Sequence, residues 1–119
     1  MAVTGIGGLF FRSRDPEAQA AWYLEHLGVG APPGKYVWDQ QGGPTVFAPF
    51  KADTDYFATN KQWMINLRVD DLDGLMVSLG DAGIAIETRP DEWDSAEAGR
   101  FARIHDPDGN PIELWQPPE

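Results

Sequence analysis

Apolar and polar residues recur along the chain with the periods of strands and helices. Val3–Arg12 is rich in β-forming residues and predicts a strand. Asp15 followed by Pro16 is typical of a helix start, because Asp caps the first amides and Pro needs no amide partner there. Glu17–Leu27 then places apolar residues on one helical face and is followed by Gly28, a common C-terminal stop. The chain therefore opens with a strand and a helix.

The rest of the chain predicts a second strand and helix, together with several short strands. Gln62–Val69 has a strand-like pattern, and apolar residues at helical spacing from Leu72 predict a helix that ends at Gly83. Asp106–Gly109 has the sequence of a type I turn. The short strands are predicted at Tyr36–Gln40, Thr45–Ala48, Ile84–Glu87, Arg100–Ile104 and Ile112–Trp115.

The order of strand, helix and strands occurs twice, which indicates an internal repeat. The corresponding positions are Arg12 and Arg68, Asp15 and Asp71, and Gly28 and Gly83. A chain of 119 residues has the length of a single domain. We predict that it contains module one at about residues 1–50, a connection at 51–61, and module two at about 62–119.

Three segments resemble the vicinal oxygen chelate superfamily, which includes glyoxalases, bleomycin-resistance proteins and extradiol dioxygenases. They are Gly8–Pro16 continuing through Trp22–Val29, Asn66–Leu72, and Asp106–Leu114, and their order covers essentially the whole chain. The resemblance implies an α+β fold. In such a fold two tandem βαβββ modules form a curved mixed sheet around a concave cavity, with the helices on the convex side.

The resemblance also implies four positions for metal ligands, of which only Glu113 carries a suitable side chain. The other three positions fall on Gly8, Val46 and Met64. Glycine and valine offer no donor, and a thioether is a poor ligand for hard or borderline ions. We therefore expect neither a metal nor another cofactor, and Glu113 is the one candidate catalytic residue.

Side-chain alternation along the strands selects the remaining candidates. If Glu113 points into the cavity, as the resemblance implies, residues of the same parity line the cavity and residues such as Ile112 and Leu114 lie beneath the helices. The expected ligand-binding residues are Phe10, Arg12, Trp38, Met64, Asn66, Arg68, Phe101, Arg103, His105 and Trp115. Aromatic walls with a few polar groups are typical of small-molecule sites.

Two of these assignments have a structural alternative. Glu113 is equally well explained by a salt bridge with Arg12, Arg68 or Arg103. The acidic segment Arg89–Gly99, which contains Trp93, is either a solvated loop or a lid over the cavity.

Composition narrows the possible functions. The absence of cysteine excludes disulfides, thiolate nucleophiles and cysteine metal sites. Nine Lys and Arg residues against 19 Asp and Glu residues give a net charge of −10, which disfavours nucleic acid and anionic membranes and suits neutral or cationic ligands. The apolar stretches are far too short to span a bilayer, so we expect a cytoplasmic protein.

These observations together predict a metal-independent small-molecule binding protein of the glyoxalase and bleomycin-resistance type, with an apolar or cationic aromatic ligand in its cavity. One alternative is a divergent lyase, isomerase or dioxygenase with an atypical metal site or with Glu113 as base. Another is an accessory protein that keeps the fold without a ligand. We expect a homodimer, because half-open sheets expose edges that pairing covers.

Overall fold

The computed structural model describes residues 2–119. Its elements are α1 (Pro16–Leu27), β1 (Ile65–Arg68), α2 (Leu72–Asp81), α3 (Pro90–Trp93), β2 (Arg100–His105) and β3 (Pro111–Gln116). The strands form one mixed sheet in the order β1-β3-β2, in which β1 runs parallel and β2 antiparallel to β3. The three strands of this sheet all belong to module two.

Local sequence signals determine where the two long helices begin. The Asp15 side chain accepts a hydrogen bond from the Ala18 amide at the start of α1. Asp71 accepts one from the Gly74 amide at the start of α2. Gly28 ends α1 with φ of 66°, a left-handed conformation that glycine adopts without strain. The predicted helix starts are therefore confirmed.

The hydrophobic core lies between α2 and the sheet. Ile112 and Leu114 of β3 are fully buried, as are Ile104 of β2 and Leu79 of α2. Ile112 and Leu114 are separated by one residue and so point to the same face of β3. Their burial confirms the prediction that the side chains on this face of β3 lie beneath the helices.

A buried carboxylate joins α1 to the turn between β2 and β3. Asp106 is 5% exposed, and its Oδ2 accepts hydrogen bonds from Gln19 Nε2 at 2.6 Å and Tyr23 Oη at 2.7 Å. Its Oδ1 accepts from the backbone amides of Asp108 and Asn110. Burial, followed by the bond to Asp106, raises the pKa of Tyr23 far above its usual range, so its hydroxyl remains a donor. Asp106 thus connects the two modules.

Module one departs from the predicted strand pattern. Val3–Arg12, Tyr36–Gln40 and Thr45–Ala48 form no strand, and Ile84–Glu87 contributes only an isolated bridge between Glu87 and Arg103. A strand exists only when a neighbouring strand satisfies its backbone groups, and residues 2–119 supply no such neighbour for the module-one segments. Residues 2–119 therefore show one three-stranded sheet and no second half-sheet to enclose a concave cavity with it.

The same segments leave much apolar surface uncovered. The radius of gyration is 14.9 Å, against about 13.5 Å expected for a compact chain of this length. The exposed large apolar residues of module one are Val3, Ile6, Leu9, Phe10, Phe11, Tyr36, Val37, Trp38, Val46, Phe47 and Phe50. None of the helices among residues 2–119 has the length and apolar character needed to cross a bilayer.

Candidate ligand-binding site

Three polar side chains form a row across the face of the sheet opposite the core. Glu113 on the central strand β3 lies beside Asn66 on β1 and beside Arg103 on β2. Residues paired in register point to the same face of a sheet, so the three side chains are neighbours. The next row on this face contains Arg68, Trp115 and Phe101. The sheet therefore brings five of the predicted ligand-binding residues together with Glu113.

Both carboxylate oxygens of Glu113 have protein donors. Glu113 is 8% exposed, its Oε1 accepts a hydrogen bond from Asn66 Nδ2 at 2.8 Å, and its Oε2 accepts from Tyr56 Oη at 2.5 Å. Hydrogen bonds to the ionised form compensate the cost of burying a carboxylate. The salt bridge from Glu113 to Arg12, Arg68 or Arg103 is not formed among residues 2–119.

Tyr56 belongs to the site although the sequence analysis did not select it. It lies in the connection at 51–61, where no periodicity indicates which side chains point inward. Burial, followed by the hydrogen bond to Glu113, raises the pKa of Tyr56 to about 12. At neutral pH Tyr56 is therefore a protonated donor to Glu113.

The guanidinium of Arg103 is buried beside two aromatic rings and keeps donors without a partner. Arg103 is 6% exposed, and its Cζ lies 4.9 Å from the ring centroid of Tyr56 and 5.6 Å from that of Trp93. These cation–π contacts compensate the charge but provide no hydrogen-bond acceptor in the guanidinium plane. Nε and Nη2 have no hydrogen-bond partner among the described residues. Each buried donor left without a partner costs about 1–3 kcal/mol.

Phe101 and Trp115 present nearly parallel rings next to the polar row. Their ring centroids are 6.4 Å apart and their planes differ by 8°. Trp115 Nε1 donates a hydrogen bond to the Ala98 carbonyl at 2.7 Å, and the Phe101 amide donates to Asp94 Oδ1 at 3.0 Å. These bonds fix the orientation of the indole and the position of the strand. Planar apolar groups stack well on such a prearranged aromatic surface.

The segment Arg89–Gly99 borders this surface. Its residue Trp93 makes an edge contact with Tyr56, at a centroid distance of 6.2 Å, and also lies beside Arg103. Arg89 pairs with Glu87 and Glu92, which gives α3 a local anchor. The segment therefore contacts the polar row through Trp93, while residues 89–92 and 95–98 are exposed.

The other predicted ligand-binding residues lie apart from the row or at its margin. Phe10 is 81% exposed, and Trp38 lines a surface hollow of about 600 Å³ formed by module one alone. Arg12 lines a second hollow of about 400 Å³ together with Lys61 and Asp108. His105 is exposed at the end of β2, and Met64 is half-buried just before β1. A single chain thus does not bring Phe10, Arg12 and Trp38 to Glu113.

The donor set of the site does not fit a bound metal. Among residues 2–119 no group of three or more His, Cys, Asp or Glu side chains is placed to hold a metal ion. Gly8, Val46 and Met64 supply no hard ligand, and the Glu113 oxygens already accept hydrogen bonds.

The chain belongs to the glyoxalase-like domain family, since the family model matches residues 8–115. This places it in the vicinal oxygen chelate superfamily that the sequence resembles. A search of curated proteins found no matching protein.

Three solved structures are similar to this chain. TnmS3, an antibiotic binding protein from Streptomyces sp. CB03234, is 29% identical with a TM-score of 0.61, and the match covers 98% of both chains. A glyoxalase/bleomycin resistance protein from the same organism is 31% identical with a TM-score of 0.51, and covers 86% of this chain and 91% of its own. A superfamily member from Sphaerobacter thermophilus DSM 20745 is 21% identical with a TM-score of 0.59, over 98% of this chain and 99% of its own, and supports the fold alone.

Proposed function

We propose that this protein is a metal-independent small-molecule binding protein that holds a planar aromatic ligand on the Phe101–Trp115 face. The main support for this proposal is that the two rings are nearly parallel. The hydrogen bond from Trp115 to the Ala98 carbonyl fixes this orientation. A rigid aromatic surface beside a few buried polar groups has the composition expected of a small-molecule site. The surface binds by stacking and needs no metal.

The similarity to an antibiotic binding protein supports a binding role. That protein is similar over nearly the whole of both chains. A lyase, isomerase or dioxygenase role would require either a metal or Glu113 as a base. Glu113 is held by Tyr56 and Asn66, and the other metal-ligand positions carry no hard donor. Binding without catalysis is therefore the function that the site supports best.

The contacts of Glu113 favour an apolar ligand over a cationic one. A cation seated on Glu113 would have to displace the hydrogen bond from Tyr56 or the one from Asn66. It would also approach the buried guanidinium of Arg103 on the adjacent strand. The positive charges of the ligand and of Arg103 would then lie on neighbouring strands and would repel each other. We therefore propose an aromatic ligand without a cationic group at Glu113.

We also propose that two copies of the chain pair to complete the cavity. The extended segments at residues 2–12 and 36–50 expose their large apolar side chains, and β1 is an edge of the sheet. Many large apolar side chains exposed on neighbouring stretches of chain are typical of an interaction site, and open strand edges recruit further strands. A second copy supplies both the missing strand partners and the apolar cover. In this arrangement Phe10 and Trp38 approach the ligand from the partner.

The function is tested by titrating the purified protein with neutral planar aromatic compounds and measuring binding by calorimetry. We expect saturable binding that Phe101→Ala weakens about tenfold or more, a loss of about 1.4 kcal/mol. Val77→Ala, at an exposed position on α2, is the matched control and should bind as the wild type does. Elemental analysis of the same sample should find no stoichiometric Zn, Ni or Fe. Absence of binding, or one retained metal ion per chain, would contradict the proposal.

A further inference from the structure

We propose that Arg103 receives a carboxylate group of the aromatic ligand, so that the preferred ligands are planar aromatic acids. This inference rests on the proposed function and adds the chemical class of the ligand. It starts from the two guanidinium nitrogens of Arg103 that lack a hydrogen-bond partner among the described residues, Nε and Nη2.

The two unpartnered nitrogens form one edge of the guanidinium group. The hydrogens on Nε and Nη2 point in parallel, and their spacing matches the two oxygens of a carboxylate. A single carbonyl oxygen would satisfy only one of them. The free edge therefore selects a group with two acceptor oxygens in one plane.

Residues 2–119 of the same chain place no such group against this edge. Glu113 is paired with Arg103 in the strand register, but its two oxygens accept hydrogen bonds from Tyr56 and Asn66. The rings of Tyr56 and Trp93 lie 4.9 Å and 5.6 Å from the guanidinium carbon, and neither ring supplies an acceptor to the buried Nε and Nη2. A ligand carboxylate would complete the coordination of a group that is already buried and held in place.

The strand geometry places this edge within reach of a stacked ligand. Arg103 and Phe101 are two residues apart on β2 and point to the same face. Their Cα atoms are therefore separated by about 7 Å along the strand. An aromatic ring stacked on the Phe101–Trp115 face can carry its carboxylate to Arg103.

The net acidic charge of the chain does not oppose this assignment. The Glu113 carboxylate opposite Arg103 does act against an anion there, and its hydrogen bonds from Tyr56 and Asn66 partly offset its charge. The net charge of −10 acts on an approaching anion from a distance. At physiological salt such repulsion is screened beyond about 8 Å. The direct contact between a guanidinium and a carboxylate at a buried site is screened much less. The long-range charge therefore slows association more than it weakens the bound state.

Three probes with the same ring system test the proposal by calorimetry. They are 2-naphthoate, its neutral isostere 2-naphthamide, and the cation 2-naphthylmethylammonium. For the wild type we expect 2-naphthoate to bind about tenfold or more tightly than 2-naphthamide, and the cation to bind most weakly. The amide presents an N–H donor to one of the two guanidinium donors, which explains the expected difference.

Variants at Arg103 separate ligand recognition from structural support. Arg103→Lys keeps the charge but lacks the paired donors, and should reduce the preference for 2-naphthoate over 2-naphthamide to less than about twofold. Arg100→Lys is the matched control on the same strand, because Arg100 pairs with Asp73 and not with the site. It should keep the wild-type preference.

The possible results are distinguishable. Equal affinity of the wild type for 2-naphthoate and 2-naphthamide would overturn the assignment of Arg103 and leave the aromatic site in place. An equal loss of both ligands in Arg103→Lys would show that Arg103 only supports the fold, and would also overturn it. If none of the three probes binds the wild type, the proposed function fails together with this inference. The wild-type comparison decides the question even if the variant does not fold.

Discussion

Arg103 and Glu113 lie directly opposite each other on neighbouring antiparallel strands, and they do not form an ion pair. Glu113 accepts hydrogen bonds from Tyr56 and Asn66, whereas Arg103 lies beside the rings of Tyr56 and Trp93 and its Nε and Nη2 have no hydrogen-bond partner among residues 2–119. A buried carboxylate and a buried guanidinium that do not neutralise each other are costly for stability alone. The absence of an ion pair between them is explained if the Arg103 guanidinium binds a group on the ligand.

The hydrogen bond between Tyr56 and Glu113 predicts an unusual tyrosine titration. The pKa of Tyr56 is about 12 in the folded chain, against about 10 in an unfolded chain. A raised pKa means that the stabilisation is complete below about pH 10 and is lost as the pH rises through about 12. Ultraviolet difference titration of wild type against Tyr56→Phe should therefore show one phenol with a midpoint near 12.

The same titration in denaturant is the control, because the difference should then move to about pH 10. A midpoint near 10 in the folded protein would show that Tyr56 is neither buried nor bonded to Glu113.

Asp106 is expected to contribute strongly to stability. Its carboxylate accepts hydrogen bonds from Gln19, Tyr23 and two backbone amides, and it is buried. Hydrogen bonds to charged groups are worth about 1.5–3 kcal/mol. Asp106→Ala should therefore lower the free energy of unfolding in urea by about 2 kcal/mol or more.

Asp91→Ala is the matched control, since Asp91 is exposed on α3. It should change the free energy of unfolding by less than about 0.5 kcal/mol. If Asp106→Ala were as mild as this control, the link between α1 and the turn would not stabilise the fold.

The parts of the structure that the sequence predicted correctly are those set by local chemistry. Asp15 and Asp71 cap their helices because an Asp side chain reaches the first amides of its own helix. Ile112 and Leu114 are buried because strand alternation directs both to one face. Both rules act over a few residues and can be applied without knowing the tertiary structure.

Contacts between distant segments could not be predicted in this way. Tyr56 meets Glu113 across 57 positions of the chain, from a connection without periodicity. The strand predicted at Val3–Arg12 is wrong for the described chain, because a strand also needs a neighbour and residues 2–119 offer none there. The approach of Phe10 and Trp38 to Glu113 in the proposed pair of chains stays a prediction.

The proposed pairing of two copies predicts a dimer that apolar residues of module one hold together. Sedimentation of the wild type at micromolar concentration should give twice the chain mass of 13.2 kDa. Phe47 is 85% exposed in the single chain. Phe47→Asp should raise the dimer dissociation constant about tenfold or more, because a charge would enter the apolar contact.

Val77→Asp places the same charge on α2, where the side chain is 65% exposed, and should leave the dimer unchanged. A wild-type particle of 13.2 kDa would refute the pairing, as would an effect of Val77→Asp equal to that of Phe47→Asp.

The central claim is that a planar aromatic ligand stacks on the face formed by Phe101 and Trp115. The most direct test follows the indole N–H signals of the five tryptophans by ¹H–¹⁵N NMR during a titration with 2-naphthamide. The Trp115 signal is assigned with Trp115→Phe. We predict that the signal of Trp115 moves saturably, while that of Trp22 on α1 stays in place. If Trp115 does not respond at saturating ligand, or if Trp22 responds equally, the ligand does not bind at this face.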